Sequence, residues 1–383
     1  MILTQTTALL VDAYRELNAK KLFWITMALS GVVVLVMASL GIDEDGVTFL
    51  MWDLSFIPIN SEILEPGVFY KALFSNLGIG LWLSWAAAIL ALISTASVIP
   101  DLVSGGSIET VLSKPISRVR VFLTKYVMGL LFVALQVFVF SLGSFLVFGL
   151  RAGLWEPGLL LAVPIVVVFF SYLFCICALI GLLTRSTITS LLVTILFWFM
   201  LFILNAGDAT LMQFRTMNEM LVEKEQARIA LMEKNTAKVL RQQRERDGLS
   251  VEGWEPTADE IIAANPFLRT NTGRVERINK DLEKLVFWSD LVYGVKTALP
   301  KTGETTALLE RHLVDLSELP QPEGDEQEIN LDDEKINISD EEMSMAVQRE
   351  FRSRSIGWIV GTSVIFECVV LGVCCLIFAR RDF

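Results

Sequence analysis

The chain has 383 residues, of which 53% are hydrophobic and only 20% are charged, and its mean hydropathy is +0.55. This composition excludes an ordinary soluble protein of the same length and indicates a protein with several membrane spans. The formal net charge is −11, but nearly all of it belongs to one hydrophilic region, 207–355, which carries 20 Lys and Arg against 30 Asp and Glu.

The first residues, 1–21, have apolar side chains near helical spacing, with charged and polar side chains between them. The apolar positions are Leu3, Leu9, Leu10, Ala13, Tyr14 and Leu17. This pattern predicts an amphipathic helix that lies in the headgroup region before the first span. A disordered leader with accidental periodicity is the alternative.

Six apolar runs are long enough to cross a bilayer, for which a helix needs about 20 residues. They are Leu22–Gly41, Phe74–Ile99, Tyr126–Leu150, Gly158–Leu183, Thr189–Ala206 and Ile356–Ala379. Tryptophans among these runs fit the aromatic belts of membrane interfaces. We therefore expect an all-α polytopic membrane protein. Residues 22–206 would hold spans one to five, and residues 356–383 the sixth span and a tail.

Basic residues in the short loops predict the orientation of the spans. With the N-terminus inside, the inner side collects ten of them, and the two short outer loops hold only Lys71 and Arg151. The ten are Arg15, Lys20, Lys21, Lys114, Arg118, Arg120, Lys125, Arg185, Arg380 and Arg381. We therefore expect a multi-pass protein of the inner (plasma) membrane with both termini in the cytoplasm. Arg349, Arg352 and Arg354 oppose this rule, because they precede the last span on the outer side.

The second and third spans are separated by a polar, net-basic segment, 100–125. Such a segment cannot lie in hydrocarbon and must face water. Within it, Gly105-Gly106 breaks the helix that leaves the second span, and Ser107 can cap a short helix with Glu109 near its positive end. Pro115 then turns the chain. The alternative is a basic loop that only fixes the topology.

The region 207–355 is expected to be a helical extracytoplasmic domain. Its first helix is predicted to end at Gly248, because glycine marks helix stops, and a second helix is predicted over 274–299. We favour packing of these two helices on each other over binding of a partner. The stretch 318–342 holds eleven acidic residues and only Lys335 as a base, which predicts a solvated, poorly ordered loop.

Little in the chain points to enzyme chemistry. The only histidine is His312, and the five cysteines all fall inside the apolar runs, where they are commoner as small apolar residues than as metal ligands. No G-x-x-x-x-G-K-[ST] motif occurs, so this chain cannot hydrolyse ATP by means of a P-loop. We expect no catalytic residue, metal or cofactor here, and any ATP energy must come from another chain.

Two polar residues within the spans, Gln136 and Glu367, are further candidates. A carboxylate at mid-membrane is costly and faces protein or water. Glu367 is therefore either a proton or cation ligand or gate, or a structural group that hydrogen-bonds a neighbouring helix, for example through Gln136. We favour the structural role.

The loop sequence SIETVLSKPISRVRVFLTK resembles the corresponding loop of ABC transporter permeases of the ABC-2 type. Those loops have an acidic residue, a leucine-rich turn with serine and proline, and a lysine that opens the third span. The matching residues are Glu109, Val111-Leu112-Ser113, Pro115, Ser117-Arg118 and Lys125. Among relatives, the loop looks most like permeases of the nitrous-oxide-reductase maturation and the multidrug or sodium export groups. The resemblance covers 22–206 and the last span, whereas 207–355 departs from the short outer loop of those families.

The resemblance implies a permease that dimerises with an identical or different permease and is driven by a separate cytoplasmic ATPase subunit. ATP and Mg²⁺ would bind to that subunit. The implied coupling residues are Ser107, Glu109, Ser113, Lys114, Pro115, Ser117 and Arg118. We expect export of a substrate or transmission of force to the outer domain, and no nucleic-acid partner. The alternative is a membrane scaffold or sensor whose outer domain recruits a protein.

Overall fold

The structure is a computed structural model that describes residues 11, 15, 21–43, 46–50, 52–53, 65–104, 117–153, 155–313 and 338–380. Helices dominate these ranges. In chain order they are α1 (Lys21–Ser39), α2 (Pro66–Val103), α3 (Arg118–Ala152), α4 (Pro157–Thr184), α5 (Thr187–Arg246), α6 (Ala258–Ala264), α7 (Phe267–Ala298), α8 (Thr302–Leu313), α9 (Asp340–Ser353) and α10 (Gly357–Arg380).

Six of these helices, α1 to α5 and α10, are long and apolar enough to cross a membrane. The predicted polytopic helical architecture is confirmed to that extent. Four predicted apolar runs lie within one of the six helices, whereas Leu22–Gly41 extends two residues past α1 and Ile356–Ala379 begins one residue before α10. The helices extend beyond the runs at most ends, because a helix continues into the polar interface until a cap or a glycine stops it. α3, for example, ends at Gly153, which has a left-handed φ of 67°.

The helical fold expected from the sequence also includes a small antiparallel sheet, which lies between α1 and α2 in the chain and was not predicted. Its strands are β1 (Leu40–Asp43), β2 (Gly46–Phe49) and β3 (Trp52–Asp53). β1 pairs with β2, and β2 with β3. Strands this short give almost no period-two pattern, although Val47, Thr48 and Trp52 are residue types that favour strands.

The chain divides into two compact units. The first holds the described residues up to Ile203, the segment 296–313 and the residues from Ser355 onward. α4 lies at its centre, and 67% of its most apolar 18-residue stretch is buried. It packs against α3, α8 and α10, and its aromatic side chains Phe169, Phe170 and Phe174 are almost completely buried. Aromatic side chains bury large areas and therefore contribute strongly to core packing.

The second unit holds 204–295 and the described residues from 338 to Arg354. α5 continues unbroken for 60 residues and ends just before Gly248, which has a φ of 74°. The predicted stop is confirmed, and so is the second helix, α7, which begins seven residues earlier than predicted, at Phe267 rather than Arg274. Arg274 of α7 donates to the buried Glu225 of α5 at 2.9 Å, as expected for two helices that pack on each other.

Most of the predicted acidic loop, 318–342, lies outside the described residues, which resume at position 338. Its last residues do not belong to a loop, because α9 begins at Asp340. Ser339 and Glu342 form a capping box at this point, in which the Ser339 hydroxyl accepts from the Glu342 amide and the Glu342 carboxylate accepts from the Ser339 amide. This reciprocal pair satisfies two orphan donors and explains why the helix starts there.

Candidate functional site

One end of the first unit is where the chain leaves α2 and returns in α3. The last residues of α2 pack on α4. Pro100 of α2 lies against Gly181 of α4, and a Cβ added at Gly181 would be 3.0 Å from the proline ring. The first turns of α3 pack on α10, with the rings of Phe122 and Phe378 5.7 Å apart. Both ends of the polar segment are thus anchored on packed helices.

Basic side chains gather at this end of the helices. They are Arg118, Arg120 and Lys125 in the first turns of α3, Arg185 just after α4, and Arg380 at the end of α10. The opposite end of α3 carries Arg151, whose guanidinium lies beside Gly41 of β1. The unequal distribution of basic residues in the sequence therefore corresponds to two different ends of one bundle. We refer to the end with Arg118, Arg120, Lys125, Arg185 and Arg380 as the basic end.

The predicted coupling residues fall mostly outside the described residues. Ser107, Glu109, Ser113, Lys114 and Pro115 all lie there. Ser117 and Arg118 are described, and Ser117 is the N-cap of α3, where its hydroxyl accepts from the Arg120 amide at 3.3 Å. A side-chain cap at this position sets where the third span starts and where the polar segment ends.

Glu367 lies on α10 and contacts α3 and α4. Its Oε1 accepts from the Tyr126 hydroxyl and its Oε2 from the Ser171 hydroxyl, both at 2.8 Å. The Tyr126 hydroxyl is also 3.0 Å from the carbonyl oxygen of Ser171. The carboxylate therefore joins three spanning helices by hydrogen bonds, which is what the structural role requires.

Gln136 is not among the partners of Glu367. It lies on α3 beside a cavity of about 10 Å³ that Thr26 and Ser30 of α1 also line, a volume that suffices for about one water molecule. Gln136 is only 5% exposed, and within the described residues its Nε2 has no hydrogen-bond partner. The two intramembrane polar candidates thus occupy separate places.

A cluster of buried charges that the sequence did not suggest lies where α7, α8 and α10 meet. Lys296, at the end of α7, donates to Glu304 of α8, and both side chains are less than 10% exposed. Lys301, fully buried between these helices, donates through Nζ to the carbonyl oxygens of Thr297 at 3.0 Å and Leu299 at 2.9 Å. Lys301 thereby supplies donors to carbonyls at the C-terminal end of α7.

Lys301 also connects this cluster to the start of α10. Its Nζ donates to the Thr362 hydroxyl, and it lies 4.9 Å from the centre of the Trp358 ring. Burial, with the nearby charge of Lys296, lowers the pKa of Lys301 to about 8 although Glu304 acts in the opposite direction. The amine is therefore close to losing its proton at mildly alkaline pH.

Sequence reasoning missed this cluster because the charges of 296–313 resemble those of the hydrophilic region around them. The available signal was the pattern of α8, in which Thr302, Thr305 and Leu309 recur at helical spacing and are buried. In the part of the chain that the structure describes, no group of three or more His, Cys, Asp or Glu side chains is placed to hold a metal ion.

Comparisons with known proteins give no assignment. No family model, no curated protein and no solved structure matches the sequence.

Proposed function

We propose that the chain is the permease subunit of an ATP-driven transporter of the ABC-2 type. The observation that carries the proposal is the basic end of the bundle, from which the segment between Ser104 and Ser117 emerges. That segment contains the residues that resemble the coupling loop of such permeases. A separate ATPase subunit on the cytoplasmic side would dock there, and a second permease chain would complete the transporter.

The physical basis of the coupling is electrostatic and steric. The sequence predicts a short helix with Glu109 near its positive end and a turn at Pro115. Such a segment would present a shaped surface with Lys114 and Arg118 around it. Since both neighbouring helices are anchored by packing, a movement of the docked subunit would reach α2 and α3 directly. α5 offers a route for force to the hydrophilic region, because it is a single helix over 60 residues.

The experiment is to purify the full chain in mild detergent from its native host and to test for a co-purifying ATPase. Wild type is compared with Glu109→Arg and Pro115→Ala. The matched control is Glu252→Arg, a charge reversal at an exposed site of the hydrophilic region. We expect an ATPase bound to wild type and control, and its loss from Glu109→Arg; ATPase retained equally by all four chains would contradict the proposal.

A scaffold or sensor is the second candidate, and one observation favours it. The C-terminal half of α7 exposes Phe287, Trp288 and Leu291 to between 49% and 64%. Large exposed apolar residues at helical spacing are typical of surfaces that bind another protein. A preparation free of ATPase in which Trp288→Ser removes a co-purifying protein would favour this second function over the first.

A further inference from the structure

A cavity of about 130 Å³ lies between α2 and α8. It holds roughly ten times the 10–15 Å³ that a single water needs in this measure, so it can accept a small organic molecule. Its lining consists of Ser75, Asn76, Ile79 and Gly80 from α2, and Thr306, Ala307, Leu309 and Glu310 from α8. All four α2 residues belong to a 14-residue π-helical stretch, Phe74–Ala87. π-helical turns are rare and often occur at functional sites.

Ser75 provides the first indication that the cavity binds something polar. Its side chain is 8% exposed, and within the described residues its hydroxyl has no hydrogen-bond partner. A buried hydroxyl without a partner costs about 1–3 kcal/mol, so most such groups in proteins are satisfied. A donor on a molecule in the cavity would give the Ser75 oxygen a partner.

Most of the remaining polar atoms of the cavity are acceptors. Asn76, which is exposed, donates one N–H to the Ala72 carbonyl, so its Oδ1 and its second N–H stay available. Thr306 donates its hydroxyl proton to the Gly303 carbonyl at 2.9 Å, which leaves only lone pairs on its oxygen. Glu310 is also exposed, and its carboxylate makes no ion pair or hydrogen bond to the rest of the described chain. The cavity thus offers one negative charge and several oxygen acceptors.

The rest of the lining is apolar and small. Ile79 and Leu309 are both buried and form an aliphatic wall. Gly80 leaves room beside it, because an added Cβ would meet nothing closer than the Ser75 carbonyl oxygen at 3.4 Å. An alanine or valine at Gly80 would therefore fit on the helix and occupy part of the cavity.

We propose that this cavity binds a small primary ammonium compound, with the ammonium group against Glu310, Asn76 and Ser75 and a short aliphatic body against Ile79 and Leu309. A primary ammonium carries three donors and no acceptor, which matches a set of acceptors around one carboxylate. Hydrogen bonds to charged groups are the strong ones. The inference stands on the cavity alone and does not depend on the proposed permease function.

The test is equilibrium dialysis of radiolabelled n-propylammonium against the full chain in detergent, with empty micelles subtracted. We expect saturable binding that Glu310→Gln weakens about tenfold or more, because a charge-assisted hydrogen bond is lost. Gly80→Val is expected to abolish binding by filling the cavity, and Gly80→Ala to weaken it. Unlabelled n-propanol, which has the same shape without the charge, should not compete.

Two control variants separate these effects from misfolding. Glu252→Gln removes an exposed carboxylate elsewhere, and Gly372→Val adds the same side chain to α10, where an added Cβ meets nothing within 4 Å. Both should bind as wild type does. Binding unchanged in Glu310→Gln and Gly80→Val, equal competition by n-propanol or by sodium chloride, or no saturable binding to wild type would each overturn the proposal.

Discussion

Arg354 is an arginine with a largely buried side chain, whose charge is paired with a buried carboxylate. It precedes α10 and forms two parallel hydrogen bonds with Asp208 of α5, from Nη1 to Oδ2 at 2.7 Å and from Nη2 to Oδ1 at 3.0 Å. The two side chains are 9% and 2% exposed. The two largely buried side chains therefore compensate each other's charge through two hydrogen bonds.

Removing one partner of this pair should be costly. We expect Asp208→Asn to destabilise the protein by about 3–5 kcal/mol, because it leaves a buried guanidinium without its counter-charge. Removing both charges with Asp208→Leu and Arg354→Met should recover much of the loss. The measurement is thermal unfolding of the purified full chain in detergent.

The exposed pair of Lys284 and Asp281, at 74% and 67% exposure, is the matched control. Lys284→Met should change stability by less than about 1 kcal/mol. A loss in Asp208→Asn no larger than that of the control would contradict the role assigned to the buried pair.

Lys301 should give the stability of the protein a specific pH dependence. Its pKa is about 8 in the folded chain against 10.5 for an ordinary lysine. Between these values the unfolded chain binds more protons than the folded chain, so this residue makes stability rise with pH from about 8 to 10.5. The unfolding midpoint of wild type minus that of Lys301→Met should rise across this interval. A difference that stays flat or falls would contradict the assignment.

Helix packing in the first unit depends on positions where a side chain has no room. Gly129 of α3 faces Phe174 of α4, and an added Cβ would lie 2.7 Å from the Phe174 ring. Small residues at such interfaces let two spanning helices approach closely. The stacked rings of Tyr126 and Phe174, 5.0 Å apart, fill the space on the same side.

Gly129→Ala should therefore destabilise the bundle by about 1–3 kcal/mol through overpacking. Gly372→Ala on α10, which has open space around it, should be close to neutral. Phe174→Leu combined with Gly129→Ala should be less destabilised than the sum of the two single variants, since the smaller side chain makes room. Additive losses in thermal unfolding would contradict direct contact at this position.

The elements differ in how well the sequence predicts them. The six apolar helices were predictable because bilayer thickness demands long apolar runs, and the end of α5 was predictable because Gly248 can adopt a positive φ. The sheet over Leu40–Asp53 was not, because its strands are too short for a pattern. The π-helical stretch of α2 was not predictable either, because a change in the hydrogen-bond spacing of a helix does not alter its amino-acid composition.

The candidate sites were predictable only where local chemistry dictates them. Ser117 was predicted only as a residue of the polar segment, whereas the structure shows that it caps α3, which begins eight residues before the predicted third span. Glu367 was expected to bond a neighbouring helix, but its partners Tyr126 and Ser171 depend on how the helices are rotated, which one sequence does not define. The pair of Lys296 and Glu304 was missed for the same reason, because burial of a charged residue is decided by tertiary packing.

At the scale of the whole molecule, the proposed function makes the two ends of the helical bundle unequal. The basic end would dock an ATPase, whereas the end that carries the sheet and Arg151 would not. This difference between the ends distinguishes the two candidate functions, because a scaffold or sensor requires no ATPase at the segment between α2 and α3. The two ends can be compared directly in one protein by placing a probe at each.

The most direct measurement is site-specific photo-crosslinking in the native host, with a photoreactive amino acid in place of Ser113 in the loop or Asp43 in β1. We expect the probe at Ser113 to capture an ATPase subunit, identified by mass spectrometry, and the probe at Asp43 not to do so. Capture from neither position, or equally from both, would contradict the claim that this chain is a permease driven through its loop.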